Sequence, residues 1–161
     1  MSGYARIGRD PTVWRPQRGL AAVEFVITMP FVLFLLLGCA EVGRAFVHYA
    51  TLTYTIRDAT RFVTMNSVNG TTGVVQLGTT TITQAKNLAV YGNVAGTGSP
   101  RLPHYQTSHV AVENVGGGNI RVVATYPYQP MLGPALPSFS QRGSVAVNFT
   151  MTVATTMRAI S

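Results

Sequence analysis

The sequence predicts an α+β protein, in which a long N-terminal helix precedes a small antiparallel β-sheet. Three observations predict this fold. Residues 20–40 form an almost uninterrupted apolar run, and apolar side chains then recur at every third or fourth position over residues 41–64. The C-terminal part alternates apolar and polar residues on either side of a glycine-rich turn, as half-buried strands do. We therefore expect a helix that first spans a membrane and then becomes amphipathic, followed by strands.

The composition excludes several classes of protein. Of the 161 residues, 47% are hydrophobic and only 11% are charged, which is below the quarter typical of soluble domains and argues against a cytosolic enzyme. Twelve Lys and Arg residues against five Asp and Glu give a formal charge of +7. Beyond the first 18 positions the basic residues are scattered and form no stripe, so we expect a membrane partner and no nucleic acid. The single cysteine, Cys39, allows no intrachain disulfide and no cysteine metal cluster.

The apolar run at residues 20–40 predicts a transmembrane helix. As a helix it would extend about 31 Å, which matches the hydrocarbon core of a bilayer. A buried core helix is the alternative, but residues 31–37 are apolar on every side and not along one stripe. Four arginines precede the run and three follow it at similar distances, a bias that favours a cytoplasmic N-terminus. Pro30 removes one backbone hydrogen bond and is expected to kink the helix.

The helix is expected to continue beyond the run. No Pro or Gly interrupts residues 44–68, so one helix over residues 20–65, about 70 Å long, is the simplest interpretation. Its second half would bury an apolar stripe on the sheet. The stripe consists of Val42, Ala45, Phe46, Tyr49, Leu52, Ile56, Ala59 and Val63.

Glu24 is the one charged residue of the apolar run, and it has two interpretations. A carboxylate inside a span costs roughly 2.5–3.5 kcal/mol on insertion scales, so Glu24 needs a partner or an interface. Its side chain could reach the cytoplasmic headgroups. Alternatively, cleavage after Gly19 would give Leu20 a free ammonium group one helical turn away, and Glu24 would neutralise that group in its own chain or in a neighbouring one.

Several short segments resemble the TadE-like family of minor pilins, or pseudopilins, of the bacterial Tad (Flp) tight-adherence pilus. The resemblance covers roughly residues 18–64, about 30% of the chain. Cys39 departs from it, since an aliphatic residue is expected there. The matching segments are RGLAAVEF at 18–25, Pro30, LLLG at 35–38, EVGRA at 41–45 and ATRF at 59–62.

The resemblance implies a processed membrane protein that takes part in pilus assembly and surface adhesion. A prepilin peptidase would cleave between Gly19 and Leu20, and Glu24 with Phe25 would serve charge pairing and assembly. The other partners would be Tad pilins, minor pilins and the inner-membrane assembly platform. Major pilins of the family are far shorter, so a major filament subunit is not expected. The implied segments are a cytoplasmic leader at 1–19, a transmembrane helix at 20–40, an amphipathic periplasmic helix at 41–65 and a periplasmic β-rich domain at 66–161.

The C-terminal part is predicted to contain one short helix and a few strands. The turn between the second and third strands would be Gly116, Gly117, Gly118 and Asn119, a hairpin signature. Residues 84–91 favour a helix, whereas 93–103 and 127–140 contain the glycines and prolines of loops. The predicted strands are 74–77, 110–115, 120–126 and 145–155.

The sequence offers little for catalysis, a metal or a cofactor. None of the three histidines, His48, His104 and His109, forms a recognisable ligand set with a cysteine or carboxylate. Acidic residues outside the span are too few for a general acid–base pair, and no Lys-Ser or Lys-Thr follows Gly118 as a phosphate loop would require. We therefore expect no enzyme, no metal and no cofactor; a membrane-tethered enzyme would need a catalytic constellation.

One rival function arises from Cys39. The residues LLGC at 36–39 resemble a bacterial lipobox, which would make the protein a lipoprotein anchored at Cys39 with a β-rich periplasmic binding domain. Glu24 would be costly in a signal peptide, and the amphipathic stripe continues the same helix past Cys39. A buried, inert thiol in a membrane helix is therefore the favoured interpretation.

Overall fold

The computed structural model describes residues 18–67, 75–131, 133, 135–137, 144–146 and 148–159. They form an α+β fold, as predicted, with one long helix and a three-stranded antiparallel sheet. The chain divides into two compact units, one ending at Cys39 and one beginning at Ala40. The elements are α1 (Arg18–Asn66), α2 (Thr79–Tyr91), a 3-10 helix (Thr107–His109), β1 (Val110–Gly116), β2 (Asn119–Tyr128), β3 (Ala135–Pro137), β4 (Ser144–Ala146) and β5 (Phe149–Arg158).

Helix α1 confirms the prediction of one uninterrupted helix over residues 20–65. It has 49 residues and extends slightly beyond the predicted bounds at both ends. It is long and apolar enough to cross a membrane, and its most apolar window is not buried by the rest of the protein. An apolar surface of this size needs lipid or other protein around it, because exposure to water costs about 25 cal/mol per Å².

The sheet has the strand order β1-β2-β5, with both pairs antiparallel. The predicted glycine turn joins β1 to β2: Gly117 and Gly118 have φ of 59° and 77°, as the two central residues of a type I′ turn require. The register shifts between Asn114 and Gly116, which marks a bulge next to this turn. Strands β3 and β4 form a separate two-stranded ribbon.

The core belongs to the unit that begins at Ala40. Alternate residues of β2 are buried, and they share core clusters with the C-terminal half of α1 and with Ala89 and Val90 of α2. This is the period of two expected for a strand with one covered face. The buried hydrophobic residues of α1 and β2 are Leu52, Ile56, Ala59 and Val63 on the helix, and Ile120, Val122, Ala124, Tyr126 and Tyr128 on the strand.

Only the second half of the predicted apolar stripe is buried. Val42, Phe46 and Tyr49 are exposed, although the stripe was expected to face the sheet along its whole length. At 100° per residue these three side chains lie roughly 50–110° around the helix from the centre of the buried stripe. They therefore form the flank of the stripe, and the sheet does not cover them.

The C-terminal elements differ from prediction in their limits. Helix α2 begins at Thr79, five residues before the predicted start, because Ile82 and Ala85 provide a half-buried face for this turn. The strand predicted at 74–77 is reduced to an isolated bridge at Val75; Val74 lies outside the described residues.

The predicted loop at 127–140 and the predicted final strand also differ from the structure. Strand β2 runs two residues beyond its predicted end because Tyr126 and Tyr128 both have places in the core, and β3 lies within the predicted loop at 127–140. The strand predicted at 145–155 is divided into β4 and β5, and β5 continues to Arg158 in register with β2. The loop at 93–103 contains no helix or strand, as predicted.

We predict that Val63→Ala lowers the free energy of unfolding by about 2 kcal/mol, because Val63 is fully buried and its loss leaves a cavity. Val47→Ala is the matched control on the same helix, since Val47 is exposed. The control should be neutral or slightly stabilising because alanine has the higher helix propensity. Urea unfolding of the detergent-solubilised protein, followed by near-ultraviolet circular dichroism, measures both. Equal losses in the two variants would contradict this description of the core.

Candidate processing and assembly site

The Gly19–Leu20 bond lies in the first turn of helix α1. Both residues are exposed, Leu20 to 69%. A Cβ atom placed on Gly19 would meet no atom within 4 Å, so the packing of the described residues does not require glycine there. The first four amides of a helix lack intrahelical acceptors, so local opening of this turn breaks few hydrogen bonds. The bond is therefore accessible to another protein.

Glu24 and Phe25 lie one turn further along α1, and both are exposed. Within the part of the chain that the structure describes, the Glu24 carboxylate has no ion-pair partner. Both residues lie in regular helix, and the hydroxyl of Thr28 donates to the carbonyl oxygens of Glu24 (2.9 Å) and Phe25 (3.2 Å). Residues four apart share a helix face, which places the Glu24 side chain on the face of Leu20.

Pro30 and Cys39 lie inside α1. The helix continues through Pro30, which has no N–H to donate to the carbonyl of Val26. The kink expected at Pro30 stays a prediction. Cys39 is a free thiol and is exposed.

A polar cluster begins at Glu41 and was not predicted from the sequence. The Tyr128 hydroxyl donates to the Glu41 carboxylate, and the Met131 backbone N–H lies 3.3 Å from the second carboxylate oxygen. Burial, together with the hydrogen bond to Glu41, raises the pKa of Tyr128 to about 12. The Glu41 carboxylate thus links the first turn of α1 after residue 40 to the end of β2.

Arg44 and His48 complete this cluster on the same helix. The Arg44 guanidinium carbon lies 5.9 Å from the centre of the Tyr128 ring. His48 is buried and packs edge-on against Tyr126 and Tyr128, with ring centres 5.9 and 5.3 Å away. The Tyr126 hydroxyl donates to the carbonyl of Pro103 at 2.9 Å.

Burial lowers the pKa of His48, and the positive charge of Arg44 lowers it further against the opposing effect of Glu41. The sequence signal for this cluster is the spacing of Glu41, Arg44 and His48, which lie three and four residues apart and so share one helix face.

The other histidines lie apart from this cluster. His104 is exposed in a loop with a φ of 59°, and the His109 ring stacks on Tyr105 with centres 6.2 Å apart. In the described ranges of the chain, no three His, Cys, Asp or Glu side chains come together in a way that could hold a metal ion.

We predict that acidification destabilises the protein through His48. Because the folded state depresses the pKa of His48 below its usual 6.5, the unfolded chain takes up the proton first as pH falls. The contribution of His48 to stability is complete above pH 6.5 and is lost below it, by at most about 1.4 kcal/mol per pH unit.

The measurement is urea unfolding between pH 7.5 and 5 of the wild type, His48→Phe and His104→Asn. His48→Phe keeps an aromatic ring and should flatten the pH dependence. His104→Asn should retain it, because His104 is exposed and Asn tolerates a positive φ. An unchanged pH dependence in His48→Phe would refute the role of this histidine.

Comparison with known proteins adds one family. Residues 19–61 match the family model described as TadE-like protein. The match begins at Gly19 and includes Glu24, Phe25 and Pro30, together with Glu41, Arg44 and His48 of the polar cluster. No curated protein and no solved structure matches the chain. The match confirms, over residues 19–61, the resemblance to the TadE-like family that was inferred from the sequence.

Proposed function

We propose that this protein is a minor pilin or pseudopilin of a Tad (Flp) type IV pilus, which a prepilin peptidase processes and which takes part in pilus assembly and surface adhesion. The observation that carries the proposal is the TadE-like match, which starts at the proposed cleavage residue and follows an exposed apolar helix. The protein would be anchored in the bacterial inner membrane by residues 20–40, with residues 1–19 in the cytoplasm and residues 41–161 in the periplasm. Incorporation into the pilus would carry it outside the cell.

Processing at Gly19 is supported by the open surroundings of this residue in the fold. No neighbour within the described residues limits its side chain, so glycine is not needed there for packing. A peptidase that admits only a small residue on one side of the scissile bond would require it. The exposed first turn of α1 would present the bond between Gly19 and Leu20 to such an enzyme.

Assembly is supported by the charge of Glu24. Cleavage would leave an ammonium group on Leu20, one helical turn from a carboxylate that has no ion-pair partner in the described segments. Pairing of the two groups would offset the cost of keeping a carboxylate near lipid. If the pair formed between neighbouring chains, it would set the axial position of one helix against the next, and Phe25 would pack beside it.

A structural role, and not an enzymatic one, fits the rest of the molecule. The exposed apolar side chains of residues 20–37 offer a surface for lipid and for the helices of other pilins. The proposed partners are the prepilin peptidase, other Tad pilins and minor pilins, and the inner-membrane assembly platform; the proposal needs no cofactor.

We predict that Gly19→Leu leaves an uncut precursor, because the larger side chain cannot enter the peptidase. Gly38→Leu is the matched control, since Gly38 lies in the same helix with equally open surroundings. Intact-mass spectrometry of the protein extracted from cells with an active peptidase measures the N-terminus. The wild type and the control should begin at Leu20. A chain that still begins at Met1 in the wild type would overturn the proposal, and a diacylated Cys39 would establish the lipoprotein alternative.

We predict that Glu24→Ala leaves membrane insertion intact but abolishes incorporation into pili, because the new ammonium group loses its counter-charge. Glu24→Asp keeps the charge and should restore part of the incorporation. Membrane fractionation measures insertion, and immunogold labelling of sheared pili measures incorporation. Normal labelling of pili from cells that carry only Glu24→Ala would disprove the charge-pairing mechanism.

A further inference from the structure

An apolar groove opens at the end of the second unit that carries Glu41. It has a volume of about 510 Å³, and Glu41 is the one charged residue among the described residues that line it. Three elements supply its walls: the first turns of α1 after residue 40, the end of β2 and the start of β5. The lining residues are Glu41, Val42, Ala45, Phe46, Tyr49, Tyr128, Pro130, Phe149 and Met151.

The rim of the groove exposes large apolar side chains. Phe46 is 70% exposed, Met131 is 77% exposed, and Phe149 is 50% exposed. Phe149 packs against Tyr128 with ring centres 5.0 Å apart, and the two residues are paired in the register of β2 and β5. Apolar side chains concentrated on one edge, around a groove, indicate a surface that binds a membrane or another protein.

The position of the groove along the chain favours the membrane as its partner. Glu41 directly follows residue 40, the end of the proposed span, and Tyr128 and Met131 both contact the Glu41 carboxylate. At 1.5 Å per residue, Val42 and Phe46 lie only about 3 and 9 Å along the helix beyond that end. The headgroup layer on one side of a bilayer is about 5–7 Å thick. The rim therefore begins within this layer.

We propose that the groove receives a lipid acyl chain from the periplasmic leaflet, so that this edge of the sheet domain rests in the membrane surface. The proposal rests on the membrane anchor of the proposed function. Burial in the interface would cover Val42, Phe46 and Phe149, and the Glu41 carboxylate would keep its hydrogen bonds to Tyr128 and Met131. Aromatic side chains at this depth are typical of membrane-interface belts.

Depth-dependent fluorescence quenching tests the proposal on the full-length chain. Trp14 is first replaced, as Trp14→Phe, to remove the native fluorophore. Single tryptophans are then introduced as Phe149→Trp at the groove, Phe31→Trp within the span and Tyr54→Trp on an exposed, more distant turn of α1. Each variant is reconstituted in vesicles with or without lipids brominated on their acyl chains, at two protein-to-lipid ratios.

We expect brominated lipid to quench Phe149→Trp strongly, with a blue-shifted emission that does not depend on the protein-to-lipid ratio, and to leave Tyr54→Trp almost unquenched. Quenching of Phe31→Trp without quenching of Phe149→Trp would overturn the proposal and leave the anchor intact. A lack of quenching at Phe31→Trp would instead refute the anchor itself. A blue shift at Phe149→Trp that grows with protein density, without bromine quenching, would show that a second copy fills the groove, which also overturns the proposal.

Discussion

The burial of one stripe of helix α1 against strand β2 is the interaction on which the rest of the C-terminal unit depends. Leu52, Ile56 and Ala59 of the helix share a core with Val122 and Ala124 of the strand, and all five are fully buried. Three further elements are placed around this pair: β1 and β5 extend the sheet on either side of β2, and α2 adds Ala89 and Val90 to the same core. The helix is thus both a candidate anchor and part of the core.

The same helix changes its chemical environment within a few turns. Around residues 20–37 its apolar side chains are exposed, whereas Leu52 and Ile56 are buried in protein. Glu41, Arg44 and His48 occupy the turns between these two stretches, and each interacts with Tyr128 at the end of β2, Glu41 with its hydroxyl and the other two with its ring. Polar groups in this position can be paired by side chains of the sheet, which lipid and an apolar core could not do. The two tyrosines of β2 therefore have two roles: they pack in the core, and they contact polar side chains of the helix.

Much of the fold was predictable because the patterns are local. The length of the apolar run, the lack of Pro and Gly over residues 44–68 and the glycine turn at 116–118 each determine a nearby element, and α1 and the β1–β2 hairpin follow. The limits of β5 depend on its pairing with β2, which a local pattern does not contain. The exposure of Val42 and Phe46 was missed for a similar reason, since the pattern shows where an apolar stripe lies but not how far around the helix the sheet covers it.

The candidate site likewise has a part that the sequence indicated and a part that it did not. Gly19, Leu20 and Glu24 were proposed because a short motif contains them, and their proposed roles depend on other molecules. The cluster of Glu41, Arg44 and His48 depends on Tyr126 and Tyr128, about 80 residues away in the sequence. The polar spacing on α1 was visible, but a helix with a polar face exposed to water would show it too. Only the pairing with the tyrosines distinguishes this cluster from a polar helix face exposed to water.

The strand order also determines when the C-terminal unit can be completed during synthesis. Strand β2 lies between β1, which is made just before it, and β5, which is made only after β3 and β4. The β1–β2 hairpin can form early, but the core stays open on one side until Met151 and Val153 arrive. A ribosome that stalls before residue 149 would release a chain whose central strand has an unpaired edge and an uncovered face. An unpaired strand edge can pair with other chains, so we expect such a truncated chain to aggregate more readily than one that includes β5.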